Sequence, residues 1–171
     1  MNFARITILS RNFRNKRKRL KHRFGYDKIK DLFFVVENGN KHFFADINRG
    51  LTIYKHGIKN RSKKLLNSYL LHKVDFVESD VIIDCGANYA DLFLILKDKI
   101  EPENYISFEP GSEEFKAIME NAPQSTNINV GLGNENSIRN FYVNCRQADS
   151  SFIEPTAYTE IIEVQTITLE I

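Results

Sequence analysis

The chain has 171 residues, of which 42% are hydrophobic and 27% are charged, and its formal net charge is +2. These fractions are near the averages for globular proteins, which excludes a wholly disordered or fibrous chain. No apolar run reaches the roughly 18–20 residues that span a bilayer. Two cysteines, Cys85 and Cys145, cannot make a disulfide framework or a zinc site by themselves. We therefore expect a cytoplasmic protein without a metal site.

The small net charge averages two unlike segments. Residues 1–30 contain 11 of the 24 Lys and Arg residues and a single acid, Asp27, so this segment carries +10 and the rest of the chain −8. Because like charges this close repel each other, we predict a basic, partly disordered N-terminal tail over residues 1–30. The alternative is a binding module that attaches to nucleic acid or to an anionic membrane leaflet. Phe3, Phe13 and Phe24 are not spaced like an RNA-binding signature, which disfavours nucleic acid.

Residues 31–78 open with a hairpin pattern. Leu32–Glu37 and residues 42–47 are rich in aromatic and β-branched side chains, and the sequence Asn38-Gly39-Asn40-Lys41 separates them. An Asn-Gly turn between two such runs is the strongest short-range hairpin signal. The sequence therefore predicts a small antiparallel β-hairpin region ahead of the main domain.

Two further elements are predicted between the hairpin and residue 78. A third short strand is expected around Leu51–Tyr54, after a turn that contains Gly50. Apolar residues then recur at helical spacing, which predicts a helix that Ser62 caps and that ends at about His72.

From residue 79 onwards, strands and helices alternate. Val81–Ile83 is a continuous β-branched run, which is typical of a strand buried on both faces of a parallel sheet. The βαβαβ pattern predicts a right-handed, doubly wound α/β fold. After the first strand, we predict helices at Asp91–Lys99 and Ser112–Asn121 and strands at Tyr105–Phe108, Ile128–Val130, Phe141–Val143 and Glu163–Leu169.

Two acids follow successive predicted strands. Asp84 ends the first strand and is followed by Gly86, where the backbone can turn sharply, while Glu109 and Pro110 end the second. Taken singly, Asp84 is as readily a helix-capping residue and Glu109 a surface acid. Ligands of open α/β sheets bind outside the carboxyl ends of the strands, so the two acids together favour a cofactor site. Glu109 is placed to accept both hydroxyls of a ribose.

The charges at this site distinguish between two nucleoside-type cofactors. A dinucleotide needs the pattern Gly-x-Gly-x-x-Gly, of which one glycine is present, and Asp84 would repel its phosphates. S-adenosyl-L-methionine carries a sulfonium and an ammonium group instead, so an acid on this loop favours it.

These motifs resemble the FkbM-type S-adenosylmethionine-dependent methyltransferases. The loop Asp84-Cys-Gly-Ala-Asn88 resembles that family's Asp-x-Gly-Ala-Asn, and Phe108-Glu-Pro110 resembles its Phe-Glu-Pro. The likeness covers about residues 57–171. Weaker matches lie at Val130–Asn136, Ser150-Ser151 and Val164–Leu169.

The resemblance implies a Rossmann-like class I methyltransferase fold over residues 79–171 and O-methylation of a sugar or other hydroxylated metabolite. By the same likeness, Glu109 would bind the ribose and Leu132 would lie near the adenine. The methionine part would be held by Asp84, Gly86, Ala87 and Asn88.

The chain departs from the family in two places. Ala90 stands where the family usually has glycine, and the sequence stops at Ile171, before the family's Asp-x-Glu-Gly motif. We therefore expect an incomplete fold at the C-terminal end, with an open apolar edge beside Val81–Ile83. This leaves a truncated, inactive relative as an alternative to an active enzyme. The residues identify no catalytic group: His56 and His72 have no evident partner in the sequence.

Overall fold

A computed structural model describes residues 2–144 and 150–169. It forms two compact units, residues 1–74 and 75–171, whereas the sequence placed the start of the last domain at residue 79. None of the helices in the described ranges has the length and apolar character needed to cross a membrane. Cys145 lies outside the described residues.

A three-stranded antiparallel sheet forms the centre of the first unit, in the order β1-β2-β3. The predicted hairpin is confirmed as β2 (Leu32–Glu37) and β3 (Asn40–Phe44). Asn38 and Gly39 between them have φ angles of 51° and 85°, which suit the tight two-residue turn that matches the twist of paired strands.

The prediction of a partly disordered basic tail is wrong for most of residues 1–30. They form helix α1 (Asn2–Arg17) and strand β1 (His22–Asp27), which pairs with β2. The Asn12 side chain donates to the Phe24 carbonyl and accepts from the Phe24 N–H, both at 2.8 Å. The Asn15 amide also donates to the carbonyl of His22 at 3.3 Å. These bonds and the burial of Phe24 attach α1 to the sheet, although its cations repel one another.

Residues expected to form a third strand are helical instead. Helix α2 (Ile47–Ile53) begins after Asp46, whose side chain accepts the Arg49 backbone N–H at 2.7 Å. Ile47, Leu51 and Tyr54 are buried at a helical spacing that the strand prediction around Leu51–Tyr54 missed. Gly50 is also required, because a side chain there would collide with the ring of Phe44.

The next helix begins earlier than predicted. Helix α3 (Ile58–Ser68) follows Gly57, so Ser62 lies inside the helix and does not cap it. A carboxylate oxygen of Glu37, at the end of β2, accepts the Lys59 backbone N–H at 2.8 Å. The capping group thus comes from a residue far away in sequence. A single 3-10 turn, Leu71–Lys73, follows α3.

The second unit contains the predicted parallel sheet. β4 (Ile82–Cys85), β5 (Tyr105–Phe108) and β6 (Thr126–Ile128) are mutually parallel and follow sequence order. Helix α5 (Ser112–Asn121) and β5 have the predicted bounds, whereas α4 (Phe93–Leu96) is shorter and β6 lies earlier than predicted. The α/β class is confirmed, and the Rossmann-like methyltransferase fold stays a prediction.

Strand β4 is at the edge of this sheet, and its burial differs from the prediction. The side chain of Val81 is 59% exposed and that of Ile83 is 40% exposed, so burial on both faces is wrong. The apolar side chains of α4 and α5 instead form a core with Tyr105 on one side of the strands. Among the described residues, no strand pairs with the outer edge of β4.

A second sheet completes this unit, in the order β7-β9-β8. The two predicted C-terminal strands are confirmed with wider or shifted bounds, as β8 (Ser137–Val143) and β9 (Glu160–Ile167), and they pair antiparallel. The short β7 (Gly131–Leu132) pairs parallel to β9, an arrangement that the sequence did not indicate.

Replacing Asn12 by alanine tests the attachment of α1. The change removes the side-chain partner of both the N–H and the carbonyl of Phe24, and both of these hydrogen bonds are partly buried. We expect Asn12→Ala to lower the free energy of unfolding by about 1–3 kcal/mol. Urea denaturation followed by circular dichroism measures the loss. Ser10→Ala, on the exposed surface of the same helix, is the matched control, and equal stability of the two variants would contradict the attachment.

Candidate functional site

The carboxyl ends of β4 and β5 bring the two predicted acids to one edge of the sheet. Cys85 of β4 is in register with Phe108 of β5, so Asp84 and Glu109 come from adjacent strand ends. The chain turns sharply directly afterwards, where the backbone N–H groups of Gly86 and Ala87 donate to the Phe108 carbonyl at 2.8 and 3.0 Å. The loop after β4 is thereby fixed to the end of β5.

Glu109 connects several segments at this edge. Its side chain is 7% exposed, and the two carboxylate oxygens accept backbone N–H groups from Asn88 at 2.8 Å and Gly111 at 2.9 Å. Its own carbonyl accepts the side-chain amide of Asn129 at 2.7 Å. Glu109 therefore joins the loop after β4, the residue before α5 and the segment after β6. The sequence identified Glu109 as a site residue but not Asn129, which belongs to no recognisable motif.

Asp84 is held in a different way. It is buried, and the hydroxyl of Tyr105 donates to Oδ2 of its carboxylate. Burial raises the pKa of Asp84 and the nearby charge of Asp91 raises it further, while the Tyr105 hydrogen bond lowers it. Burial, and then the charge of Asp84, raise the pKa of Tyr105 far above its ordinary value. The one sequence signal for this partner was a tyrosine at the first position of the predicted strand.

The loop leaves open space beside its backbone. Gly86 has a φ of +77° and no heavy atom within 4 Å of the position that a side chain would occupy. Oδ1 of Asn88 is buried and has no hydrogen-bond partner in the described parts of the chain. A ligand can thus approach the backbone at Gly86, and a hydrogen-bond acceptor is available close by in sequence.

The structure also explains why glycine suits position 90. Ala90 is fully buried and has a φ of 55°, in the left-handed region that costs an L-residue roughly 1–2 kcal/mol. Asn88, two residues earlier, has the same φ of 55°, which asparagine tolerates better than most residues. The loop therefore contains backbone strain at Ala90 that a glycine would not have.

Other candidate residues lie elsewhere or are poorly suited to chemistry. Leu132 is in β7, where it pairs with Ile167, and no described contact joins it to the loop after β4. Partial burial and the charge of Asp84 raise the pKa of the Cys85 thiol, which opposes a role as nucleophile. All four histidines precede residue 75, so the second unit contains none. Its described residues include no cluster of side chains that could hold a metal ion.

The raised pKa of Asp84 predicts a pH-dependent effect of Asp84→Asn. The folded protein binds this proton more tightly than the unfolded chain, so the wild type loses stability as the pH rises from below 3.8 through the folded pKa. The amide has no charge to bury and still accepts the Tyr105 hydroxyl. We expect the variant to melt above the wild type at neutral pH, with the difference fading in acid. Thermal melts at several pH values measure the difference in melting temperature between the variant and the wild type. A difference that does not change with pH would contradict the raised pKa of Asp84, and so would the same pH dependence in the exposed control Asp98→Asn.

Glu109→Gln tests the connecting role of the carboxylate. Glutamine has one acceptor oxygen, so either the Asn88 or the Gly111 N–H loses its partner. We expect the free energy of unfolding to fall by about 1–3 kcal/mol, measured by denaturant titration. Glu103→Gln makes the same chemical change at an exposed position, and an equally small effect in both variants would show that the two bonds contribute nothing.

The candidate site therefore consists of two buried carboxylates from adjacent strand ends and a strained, partly open loop, at the carboxyl edge of a parallel sheet. Comparison of the chain with models of protein families, with curated proteins and with solved structures finds no match.

Proposed function

We propose that the second unit binds S-adenosyl-L-methionine and serves in the transfer of its methyl group to a hydroxyl of a sugar or other hydroxylated metabolite. The observation that supports this most is the position of Asp84 and Glu109 at the ends of adjacent parallel strands, next to a loop whose backbone is open at Gly86. The acceptor class rests on the resemblance to FkbM-type enzymes.

The charge at this edge favours a cationic cofactor over a phosphate-bearing one. Both acids are buried, where the field of a carboxylate is screened less than in water. A pyrophosphate beside them would be repelled, whereas the sulfonium and ammonium groups of S-adenosylmethionine would be attracted. The absence of a second glycine from the loop Gly86-Ala-Asn88 also disfavours a dinucleotide.

The residues present fit such a cofactor. The unpartnered Oδ1 of Asn88 can accept a hydrogen bond from an ammonium or hydroxyl group, and Gly86 allows close approach of the methionine part. The oxygens of Glu109 accept N–H groups from Asn88 and Gly111, and because a carboxylate oxygen can accept more than one hydrogen bond, Glu109 can also receive the ribose hydroxyls. Asn129, bonded to the Glu109 carbonyl, begins the segment that leads to Leu132, the proposed adenine contact.

The reaction places modest chemical demands on the protein. The bound cofactor supplies a methyl group activated by a sulfonium centre, and in-line displacement then depends mainly on how the acceptor is positioned. A hydroxyl acceptor must also lose its proton. Because residues 75–171 contain no histidine, a base from this unit has to be another type of side chain.

Gly86→Asn tests the binding site without removing a bond. Asparagine tolerates a positive φ and its side chain would enter the open space at Gly86, so the fold should survive while the ligand is blocked. We expect the wild type to bind S-adenosylhomocysteine in calorimetry and the variant to bind at least about tenfold more weakly.

Gly39→Asn is the matched control, because Gly39 also has a positive φ, of +85°, and open space around it, but lies in the hairpin of the first unit. It should bind like the wild type. A folded wild type that binds neither the cofactor nor its product would refute the proposal, and unchanged binding by Gly86→Asn would refute this site. Calorimetry detects the cofactor independently of methyl transfer.

A further inference from the structure

Helix α1 presents an apolar stripe to solvent, formed by Phe3, Ile6, Leu9 and Phe13, with Ser10 in the same sector. Phe3 is 76% exposed, Ile6 63%, Leu9 59% and Phe13 63%. At 3.6 residues per turn, these four positions fall within about a third of the helix circumference. Four large exposed side chains on one face form a patch, whereas a single exposed apolar residue would need no explanation.

The opposite face of α1 is attached to the sheet. Ile8 and Asn15 are buried there, and Asn12 and Asn15 bond to the backbone of β1. These contacts fix the rotation of the helix about its axis. The helix therefore cannot rotate to pack the stripe against the sheet of its own unit.

Cations border the stripe. By helical spacing, Arg5 and Lys16 lie along one side of it and Arg14 along the other, and Arg17 extends it at the C-terminal end. All four are exposed, and α1 contains no acidic residue. None of the four forms an ion pair within residues 2–144 and 150–169.

We propose that α1 lies in the interface of an anionic phospholipid bilayer, with the apolar stripe among the upper acyl chains and the bordering cations at the headgroups. An apolar face between rows of Lys and Arg is the arrangement that binds helices in the membrane plane. Acidic lipids attract each nearby cation, and the apolar side chains add binding energy that charge alone does not provide.

Two other occupants explain the helix less well. A nucleic acid would neutralise the cations, but its phosphates offer no apolar surface to cover Phe3, Ile6, Leu9 and Phe13. A second copy of α1 would cover the stripe, but it would bring the arginines of two uniformly basic helices together. The inference depends only on the first unit, so it holds whether or not the second unit binds a cofactor.

Vesicle sedimentation with the full chain tests the proposal. We expect the wild type to sediment with phosphatidylcholine vesicles that contain phosphatidylserine, and much less with phosphatidylcholine alone. The double variant Ile6→Ser/Phe13→Ser keeps every cation and should bind at least about tenfold more weakly. Ile153→Ser, at an 81% exposed isoleucine of the second unit, is the matched control and should bind like the wild type.

The alternative occupants give distinct results. Vesicle binding that the double variant retains would overturn the proposal, because the stripe would then contribute nothing. The proposal would also be overturned if the wild type did not sediment with vesicles but bound duplex DNA or RNA in a salt-sensitive way, and if the double variant bound the nucleic acid equally well. A wild-type dimer that this variant converts to a monomer, again without vesicle binding, would identify the stripe as a contact between copies. Circular dichroism checks that each variant folds.

Discussion

The second unit depends on one buried carboxylate. Glu109 accepts an N–H from the loop after β4 and another from the residue before α5, and its carbonyl receives the amide of Asn129. Parallel strands make no direct turns with one another, so the loops at their ends need some other group to hold them in place. Here one residue serves three of these connections, two through its side chain and one through its backbone carbonyl. The geometry of the candidate site therefore follows from the bonds of Glu109 as much as from the sheet itself.

The same edge of the sheet is held at an energetic cost. Asp84 is buried with its pKa raised, and Ala90 adopts a left-handed conformation that its methyl group disfavours. A core built for stability alone would use an apolar residue in place of Asp84 and glycine in place of Ala90. Local costs of this kind are common where a protein binds a ligand, which is consistent with the proposed cofactor site.

The sequence predicted those parts of the structure that local patterns determine. The Asn38-Gly39 turn requires a particular backbone conformation and lies where it was predicted, and Tyr105–Phe108 and Ser112–Asn121 have the predicted bounds. Several of the features that the sequence missed are contacts between residues distant in sequence. Glu37 caps α3, Asn12 attaches α1 to β1, and Tyr105 binds Asp84, and no window of neighbouring residues contains both partners. The acids of the site were predictable because strand ends converge, whereas their hydrogen-bond partners were not.

The two bonds from Asn12 have a consequence for self-association. A strand at the edge of a sheet exposes backbone groups onto which another chain can add a strand, a common start of aggregation. The side-chain amide of Asn12 bonds both the N–H and the carbonyl of Phe24, as a neighbouring strand would. Because a side chain cannot continue the ladder, no further strand is added at this point. The first unit thus blocks part of its β1 edge with side chains of α1, Asn12 at Phe24 and Asn15 at the His22 carbonyl. Among the described residues, no strand pairs with the outer edge of β4, and both Ile83 and Val81, which directly precedes the strand, are exposed, so this edge is more open to unwanted pairing.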